Sequence, residues 1–356
     1  MTERPAIARR RHIGMAPHEP RIDRSARPCR APCRAPCFWA GMVLVLYLIA
    51  VSPASAASSH IEAPGVPGVV VSILPLHGLV AAVMEGLGTP HLLVRGGASP
   101  HNASLRPSDA RALSAAKLVV WAGPGLETFL VKPLRALAGA AQVLTLTEAP
   151  EMVRLRQLSR SAFAAETAGE GEAGERDASE PNEGAINPHL WLDPRNAMEI
   201  GRQTAAALAK LDPGNAPRYA ANLARLLARL EGLDRELAAR LGPVAGIPYA
   251  VFHDAYPYLE ARYALRTLGA LTADPAVPPG AKSLAALRAR LREAGGTCVF
   301  AEPQFRPAAV AVLAEGTGAR TAILDPLGAG LEPGPEAYFA LMRALVGALV
   351  GCLEGG

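Results

Sequence analysis

Cysteine and long apolar runs are scarce in this 356-residue chain, with five cysteines in all. The apolar run at 38–51 has fourteen residues, fewer than the roughly 20 that a membrane-spanning helix needs. The sequence has no H-E-x-x-H motif and no basic stripe with interleaved aromatic residues. These absences argue against a helical zinc-hydrolase site and against a nucleic-acid partner.

The first 56 residues have the pattern of a signal peptide. Nine arginines stand against three acidic residues in 1–37, and the apolar run 38–51 follows and ends near Ala54-Ser55-Ala56. A basic region, an apolar region and a small-x-small site predict cleavage after Ala56, with a retained anchor as the alternative. The whole chain has a net charge of +4, and the leader contributes +6. Residues 57–356 therefore carry +4 − 6 = −2.

Two cysteines, Cys298 and Cys352, remain beyond the predicted leader. An even number of cysteines in an exported protein favours one disulfide over two free thiols.

Short apolar segments alternate with helical periodicity along the chain, as in parallel α/β sheets. The alternation occurs before and after a helical pattern at Pro217–Leu241. Apart from the adjacent pair Leu226-Leu227, its leucines step by threes and fours. We predict an α/β fold of two lobes, each with a parallel-type sheet flanked by helices, joined by one long rigid linker helix. The expected strands lie at 69–74, 91–94, 118–121, 142–146, 247–252, 297–301 and 320–324.

Segment 164–185 interrupts this alternation with seven carboxylates against the single base Arg176. Such a composition cannot bury a core and predicts a solvated or disordered loop. The predicted organisation is a signal peptide at 1–56, an N-terminal lobe at 57–215, a linker helix at 216–242 and a C-terminal lobe at 243–356.

Three histidines and one aspartate stand in loops or at strand ends: His101, His189, His253 and Asp325. Side chains beyond the carboxyl ends of parallel strands converge on one crevice. Three imidazoles and a carboxylate form a ligand set suited to tetrahedral Zn²⁺. Their separations of 88, 64 and 72 residues exclude a zinc finger, and spacing alone is weak support for a shared site.

Six motifs strengthen this interpretation: SPHNASLRPSD, LVVWAGPGLETFL, NPHLWLDP, FHDAYPYLE, CVFAEPQFRP and LDPLG. In this order, across residues 66–353, they resemble the ZnuA family, the zinc-uptake solute-binding proteins of bacterial ABC transporters within the cluster A-I metal receptors. The resemblance implies a monomeric periplasmic receptor without catalysis. It would hold Zn²⁺ as transported ligand between two metal-binding lobes and deliver it to an inner-membrane ABC permease with its ATPase.

Carried over to this sequence, the family pattern makes His101, His189 and His253 the ligands and pairs Cys298 with Cys352. The manganese-type relatives place a glutamate at the position of His253, so this residue favours Zn²⁺. Two features depart from the family pattern. Many zinc-binding members have an acidic residue just before the first histidine, where this chain has Pro100. Many also have a histidine-rich loop, whereas the corresponding segment 164–185 of this chain contains no histidine. Asp325 is then the favoured fourth ligand, with a water as the alternative.

Two other functions stay open at this point. The first is a manganese or iron receptor, or an adhesin, on the same scaffold. The second is a zinc hydrolase in which a water takes the fourth position and Asp254 or Glu302 acts as general base.

Overall fold

The computed structural model describes residues 66–157, 185–273, 275, 279–305 and 308–355. The predicted signal peptide, and the predicted loop 164–185 apart from its last residue, lie outside the described residues.

The first lobe contains a four-stranded parallel sheet with the strand order β2-β1-β3-β4. Its strands and the predicted ones coincide closely, because buried runs such as Leu118–Trp121 are apolar at every position. The elements are β1 (Val69–Val71), α1 (Leu74–Val83), β2 (His91–Leu92), α2 (Pro107–Ala115), β3 (Leu118–Trp121), α3 (Val131–Leu137) and β4 (Gln142–Thr145).

Two helices follow the first sheet: α4 (Pro194–Leu211) and α5 (Ala216–Leu241). The predicted linker helix at 216–242 corresponds to α5, which ends one residue earlier. One stripe of α5 is buried, and its members are Tyr219, Asn222, Leu226, Leu230, Leu233, Leu237 and Leu241.

The second lobe repeats the topology of the first, with the parallel order β6-β5-β7-β8. Two of its elements, β6 and α6, were not predicted from the sequence. The elements are β5 (Tyr249–His253), α6 (Pro257–Tyr263), β6 (Thr267–Thr272), α7 (Ala281–Glu293), β7 (Cys298–Ala301), α8 (Ala308–Ala314), β8 (Arg320–Ile323) and α9 (Ala337–Glu354).

One hydrophobic core extends through both lobes. Leu76 of α1, Leu230 of α5 and Tyr249 of β5 belong to the same buried cluster, as does Leu349 of α9. Smaller clusters cover the other face of each sheet, around Val119 in the first lobe and Val299 in the second. Because the main core is continuous across α5, the two lobes are packed against each other rather than merely tethered.

Helix α9 contributes buried residues to this core. Among the described residues it is the one helix whose length and mean hydropathy of 1.5 would suit a membrane span. It packs instead against α1 and α5, with Tyr338, Leu345 and Leu349 buried. The predicted disulfide forms between Cys298 of β7 and Cys352 of α9, whose Cα atoms are 6.3 Å apart.

Candidate metal centre

His253 is the last residue of β5, at the carboxyl end of the second sheet. Its side chain is 2% exposed. Its Nδ1 lies 3.2 Å and 3.3 Å from the two carboxylate oxygens of Glu302, which directly follows β7. An acceptor beside Nδ1 places the hydrogen there and leaves the Nε2 lone pair free to bind a metal.

His189 lies in the turn that leads into α4. The turn is fixed downstream by Asp193, the N-cap of α4, whose side chain accepts from the backbone N–H of Arg195. Upstream, Oδ1 of Asn187 accepts from the His189 backbone N–H at 3.1 Å and lies 2.9 Å from His189 Nδ1. The ring of His189 therefore also has its hydrogen on Nδ1 and a free Nε2.

His101 lies in the loop between β2 and α2 and is half-buried. Its backbone N–H donates to the hydroxyl of Ser99 at 3.3 Å. The imidazole faces those of the other two histidines, although His101 belongs to the first lobe and His253 to the second.

The three rings converge between the lobes. The centroid of the His253 ring lies 5.1 Å from that of His101 and 4.8 Å from that of His189, and one nitrogen from each ring lies within 4.8 Å of the others. The Nε2 atoms of His101 and His253 are buried without a hydrogen-bond partner. Unpaired buried nitrogens are costly in an apolar setting, and a cation shared by the three rings would satisfy them.

The electrostatics of the cluster keep two rings neutral. Burial, and then the neighbouring His253, lowers the pKa of His101 to about 3. Burial, followed by His253 and His101, holds the pKa of His189 well below its usual range. Because a metal binds only the neutral imidazole, both rings are ready for an ion at neutral pH without first losing a proton.

Asp325, the predicted fourth ligand, directly follows Leu324 after β8. Its Oδ1 accepts from the backbone N–H groups of Leu327 and Gly328 and from Gln304 Nε2, and its Oδ2 accepts from the N–H of Ala329 at 2.6 Å. Among the described residues, the side chains whose ligand atoms lie close enough together to hold one ion are the three histidines. The structure therefore brings the imidazoles together and leaves Asp325 in its own turn.

Two residues near the site were not anticipated: Asn187, which holds His189, and Gln304, which holds Asp325. A signal for Asn187 is present in the sequence, since an Asn side chain commonly accepts the backbone N–H two residues further on. Gln304 has no comparable local signal, because its partner lies 21 residues away. Glu302, named above as a possible general base, lies with its carboxylate against Nδ1 of His253.

Two α/β lobes on one long helix, with three imidazoles converging between them, define a two-lobed metal-binding receptor. A family model described as zinc-uptake complex component A, periplasmic (ZnuA), matches residues 69–352. The chain belongs to the ZnuA family.

Named relatives agree with this assignment. The high-affinity zinc uptake system protein ZnuA of Brucella suis is 41% identical over 306 residues, covering 81% of this chain and 92% of that protein. The protein of the same description from Yersinia pestis is 38% identical over 293 residues, covering 80% and 91%. A crystal structure of a ZnuA deletion mutant with zinc bound superposes with a TM-score of 0.66 at 26% identity, covering 81% of this chain and 98% of that one.

Proposed function

We propose that this protein captures Zn²⁺ between its two lobes through His101, His189 and His253 and delivers it to an ABC permease for uptake. The observation that carries the proposal is the convergence of three imidazoles on one point, two of them with buried, unpaired Nε2 atoms. Membership in a family of zinc-uptake receptors supports Zn²⁺ as the cargo and a permease with its ATPase as the destination.

Asp325 is the proposed fourth ligand. Its Oδ2 accepts a single hydrogen bond, from Ala329 N, and a carboxylate oxygen can accept a second contact. Zinc bonds of about 2.0–2.1 Å to nitrogen set tetrahedral ligand atoms roughly 3.4 Å apart. Binding would therefore draw the imidazoles together, and the carboxylate of Asp325 would rotate toward them.

The remaining parts of the proposal concern the whole chain. We place the protein in the periplasm as a monomer, exported by a signal peptide at 1–56 that is then removed. Its lobes are 57–215 and 243–356, both metal-binding, joined by the linker at 216–242. It performs no catalysis, because delivery needs an ion that is held and released unchanged.

Competitive titration of the mature protein with Zn²⁺ and Mn²⁺ tests the ligand set. We expect Zn²⁺ to be preferred and His253→Ala to weaken it by more than about 100-fold, since even residues behind a ligand contribute 10–100-fold. His91→Ala is the matched control, because this imidazole is bonded to Asp109 and is not one of the three whose nitrogens converge. Retention of Mn²⁺ in preference to Zn²⁺, or unchanged affinity in His253→Ala, would contradict the proposal.

Asp325→Ala tests the fourth position. We expect weaker zinc binding than in Gln304→Ala, which removes the Gln304 bond to Asp325 but keeps the carboxylate. Equal affinities in the two variants would assign the fourth position to water.

Chelator-sensitive hydrolysis of generic esters would instead support an enzyme. Such a reaction needs a free general base, and the carboxylate of Glu302 lies against His253 Nδ1. We expect no turnover above that of the metal-free protein.

A further inference from the structure

The turn that carries His189 reaches the second lobe on both sides of the histidine. Two residues earlier, Nδ2 of Asn187 donates to the backbone carbonyl of Asp254 at 2.8 Å. Two residues later, Nε1 of Trp191 donates to the backbone carbonyl of Pro326 at 2.9 Å. Both donor side chains are fully buried. The turn is thus bonded to two separate segments of the other lobe.

Each of the two acceptor residues comes directly after a proposed zinc ligand in the sequence. Asp254 directly follows His253, and Pro326 directly follows Asp325. Each bond therefore joins the His189 turn to the backbone next to a proposed zinc ligand of the second lobe. A change in the separation of the lobes at the metal centre would have to break or stretch both bonds.

The orientation of the Asn187 amide is determined by its neighbours. Its oxygen faces a backbone N–H, that of His189, and its nitrogen faces a backbone carbonyl, that of Asp254. In a flipped amide, the NH₂ group would face the His189 backbone N–H and the oxygen would face the Asp254 carbonyl, and neither pair could form a hydrogen bond. The same oxygen therefore receives His189 Nδ1–H and fixes Nε2 as the atom that faces the cluster.

Both donor residues are themselves held rigidly. The backbone of Asn187 donates to Leu155 O at 2.8 Å and accepts from the Tyr258 hydroxyl at 2.9 Å. The Trp191 carbonyl accepts from the Tyr338 hydroxyl of α9 at 2.8 Å. Since Tyr258 and Tyr338 both belong to the second lobe, each donor residue is joined to that lobe through its backbone carbonyl as well as through its side chain.

We infer that Asn187 and Trp191 form an interlobe clasp, a pair of positioning residues that holds the ligand-bearing turns of both lobes in the zinc-binding arrangement before the ion arrives. The inference rests on the proposed function. Apparent affinity is reduced by the fraction of molecules that lack the competent arrangement. Loosening the clasp would therefore weaken zinc binding and speed zinc release without removing a ligand.

Three variants separate the parts of the clasp. Asn187→Ala removes the bond to Asp254 and the acceptor for His189, and we expect affinity to fall about 10–100-fold. Trp191→Phe keeps an aromatic ring but removes the Nε1–H donor, and we expect a loss of roughly two- to tenfold. Asn187→Asp keeps the acceptor for His189 and loses the donor to Asp254, so its affinity should lie between those of the wild type and Asn187→Ala.

Matched controls exist within the chain. Asn222→Ala removes a buried amide that donates to Val83 O and Glu85 O, and Trp121→Phe removes an indole N–H that donates to Thr145 Oγ1 within the first lobe. Both controls lose the same kind of hydrogen bond at a distance from the metal ligands. We expect their zinc affinities and release rates, measured by competition with a chelator, to match the wild type.

The tautomer of His189 can be measured, and a general loss of stability would not change it. Long-range proton–nitrogen NMR correlation of the metal-free protein should show the hydrogen on Nδ1 in the wild type, Asn187→Asp and Trp191→Phe. It should show loss of that preference in Asn187→Ala. If Asn187→Ala fails to fold, the other two variants carry the test by affinity and release rate.

The outcomes distinguish the clasp from the proposed function. Wild-type affinity and release in Asn187→Asp and Trp191→Phe, with binding abolished in His189→Ala, would overturn the clasp alone. Equal losses in the clasp variants and their controls would overturn it as well. Unchanged zinc binding in His189→Ala would overturn the proposed ligand set itself.

Discussion

The rings of His189 and His253 both carry their hydrogen on Nδ1, but the acceptors differ. His189 faces a neutral amide and His253 faces a carboxylate. A carboxylate behind an imidazole raises its basicity as a ligand and orients the ring. The two histidines are thus prepared for a metal by different chemistry, which can be tested separately.

Glu302→Ala should weaken zinc binding about 10–100-fold, because His253 loses the acceptor that fixes its tautomer. Glu302→Gln should weaken it less, since the amide oxygen can still accept Nδ1–H. Chelator competition measures both. As a control, Glu260→Ala removes a carboxylate of the same lobe that binds the Tyr249 hydroxyl, and it should keep wild-type affinity. A larger loss in Glu302→Gln than in Glu302→Ala would contradict this role.

His77 should make the protein sensitive to acid. Burial lowers its pKa from 6.5 to about 4, against the raising effect of its bond to Pro90 O and with smaller lowering effects of Arg95 and His91. As pH falls below 6.5, the unfolded chain takes up the proton first, so the free energy of unfolding decreases until pH reaches about 4.

Urea unfolding of the zinc-free protein at pH 7.5 and pH 4.5 measures this effect. The decrease in unfolding free energy between the two pH values should be about 2 kcal/mol smaller in His77→Gln than in the wild type. An equal decrease in both proteins would show that His77 does not contribute.

At the scale of elements, the sequence predicted both sheets, the linker helix and the loops that carry the histidines, because buried parallel strands and an amphipathic helix have strong periodic signals. It missed β6, where Gly269 has a positive φ of 121° and the pairing with β5 shifts register between Tyr249 and Ala250. A glycine inside a short segment weakens the strand pattern. Tertiary pairing with β5, which is invisible in local periodicity, forms this strand.

The candidate site was predicted less completely than the fold. Residue type and position made the three histidines candidates, the family resemblance singled them out as ligands, and their convergence depends on how the lobes pack. The clasp could not be predicted, because the Asp254 and Pro326 acceptors are backbone carbonyls, 67 and 135 residues from their donors. Any residue type offers such a carbonyl.

Helix α5 should stabilise the molecule through its apolar stripe rather than its surface charges. Leu230 is fully buried in the shared core. Leu230→Ala should therefore lower the free energy of unfolding by about 2–5 kcal/mol. Glu336→Gln breaks the exposed ion pair with Arg229 and should cost at most about 1 kcal/mol. Chemical denaturation compares the two, and a larger effect of Glu336→Gln would contradict this account.

At the scale of the whole molecule, a continuous core and several interlobe hydrogen bonds, those of Asn187 and Trp191 among them, leave little freedom for the lobes to separate. Ligand atoms that already lie within 4.8 Å of one another need to move by only about 1 Å to reach tetrahedral zinc geometry. We expect X-ray scattering curves of the metal-free and zinc-loaded protein to superimpose. A clear decrease in the radius of gyration on adding zinc would indicate hinge closure instead.

The two ends of the segment between Gln157 and Ala185 lie side by side. Gln157 N donates to Ala185 O at 2.8 Å, Arg156 and Ile186 form an antiparallel bridge, and Gln157 Nε2 donates to Ala273 O at the end of β6. Because Gln157 and Ala185 are bonded to each other, and loop closure depends only slowly on length, this position should accept a folded insert. A fluorescent domain placed there would begin and end at a point fixed to both lobes, which makes it a site for labelling or immobilising the protein without altering a metal ligand.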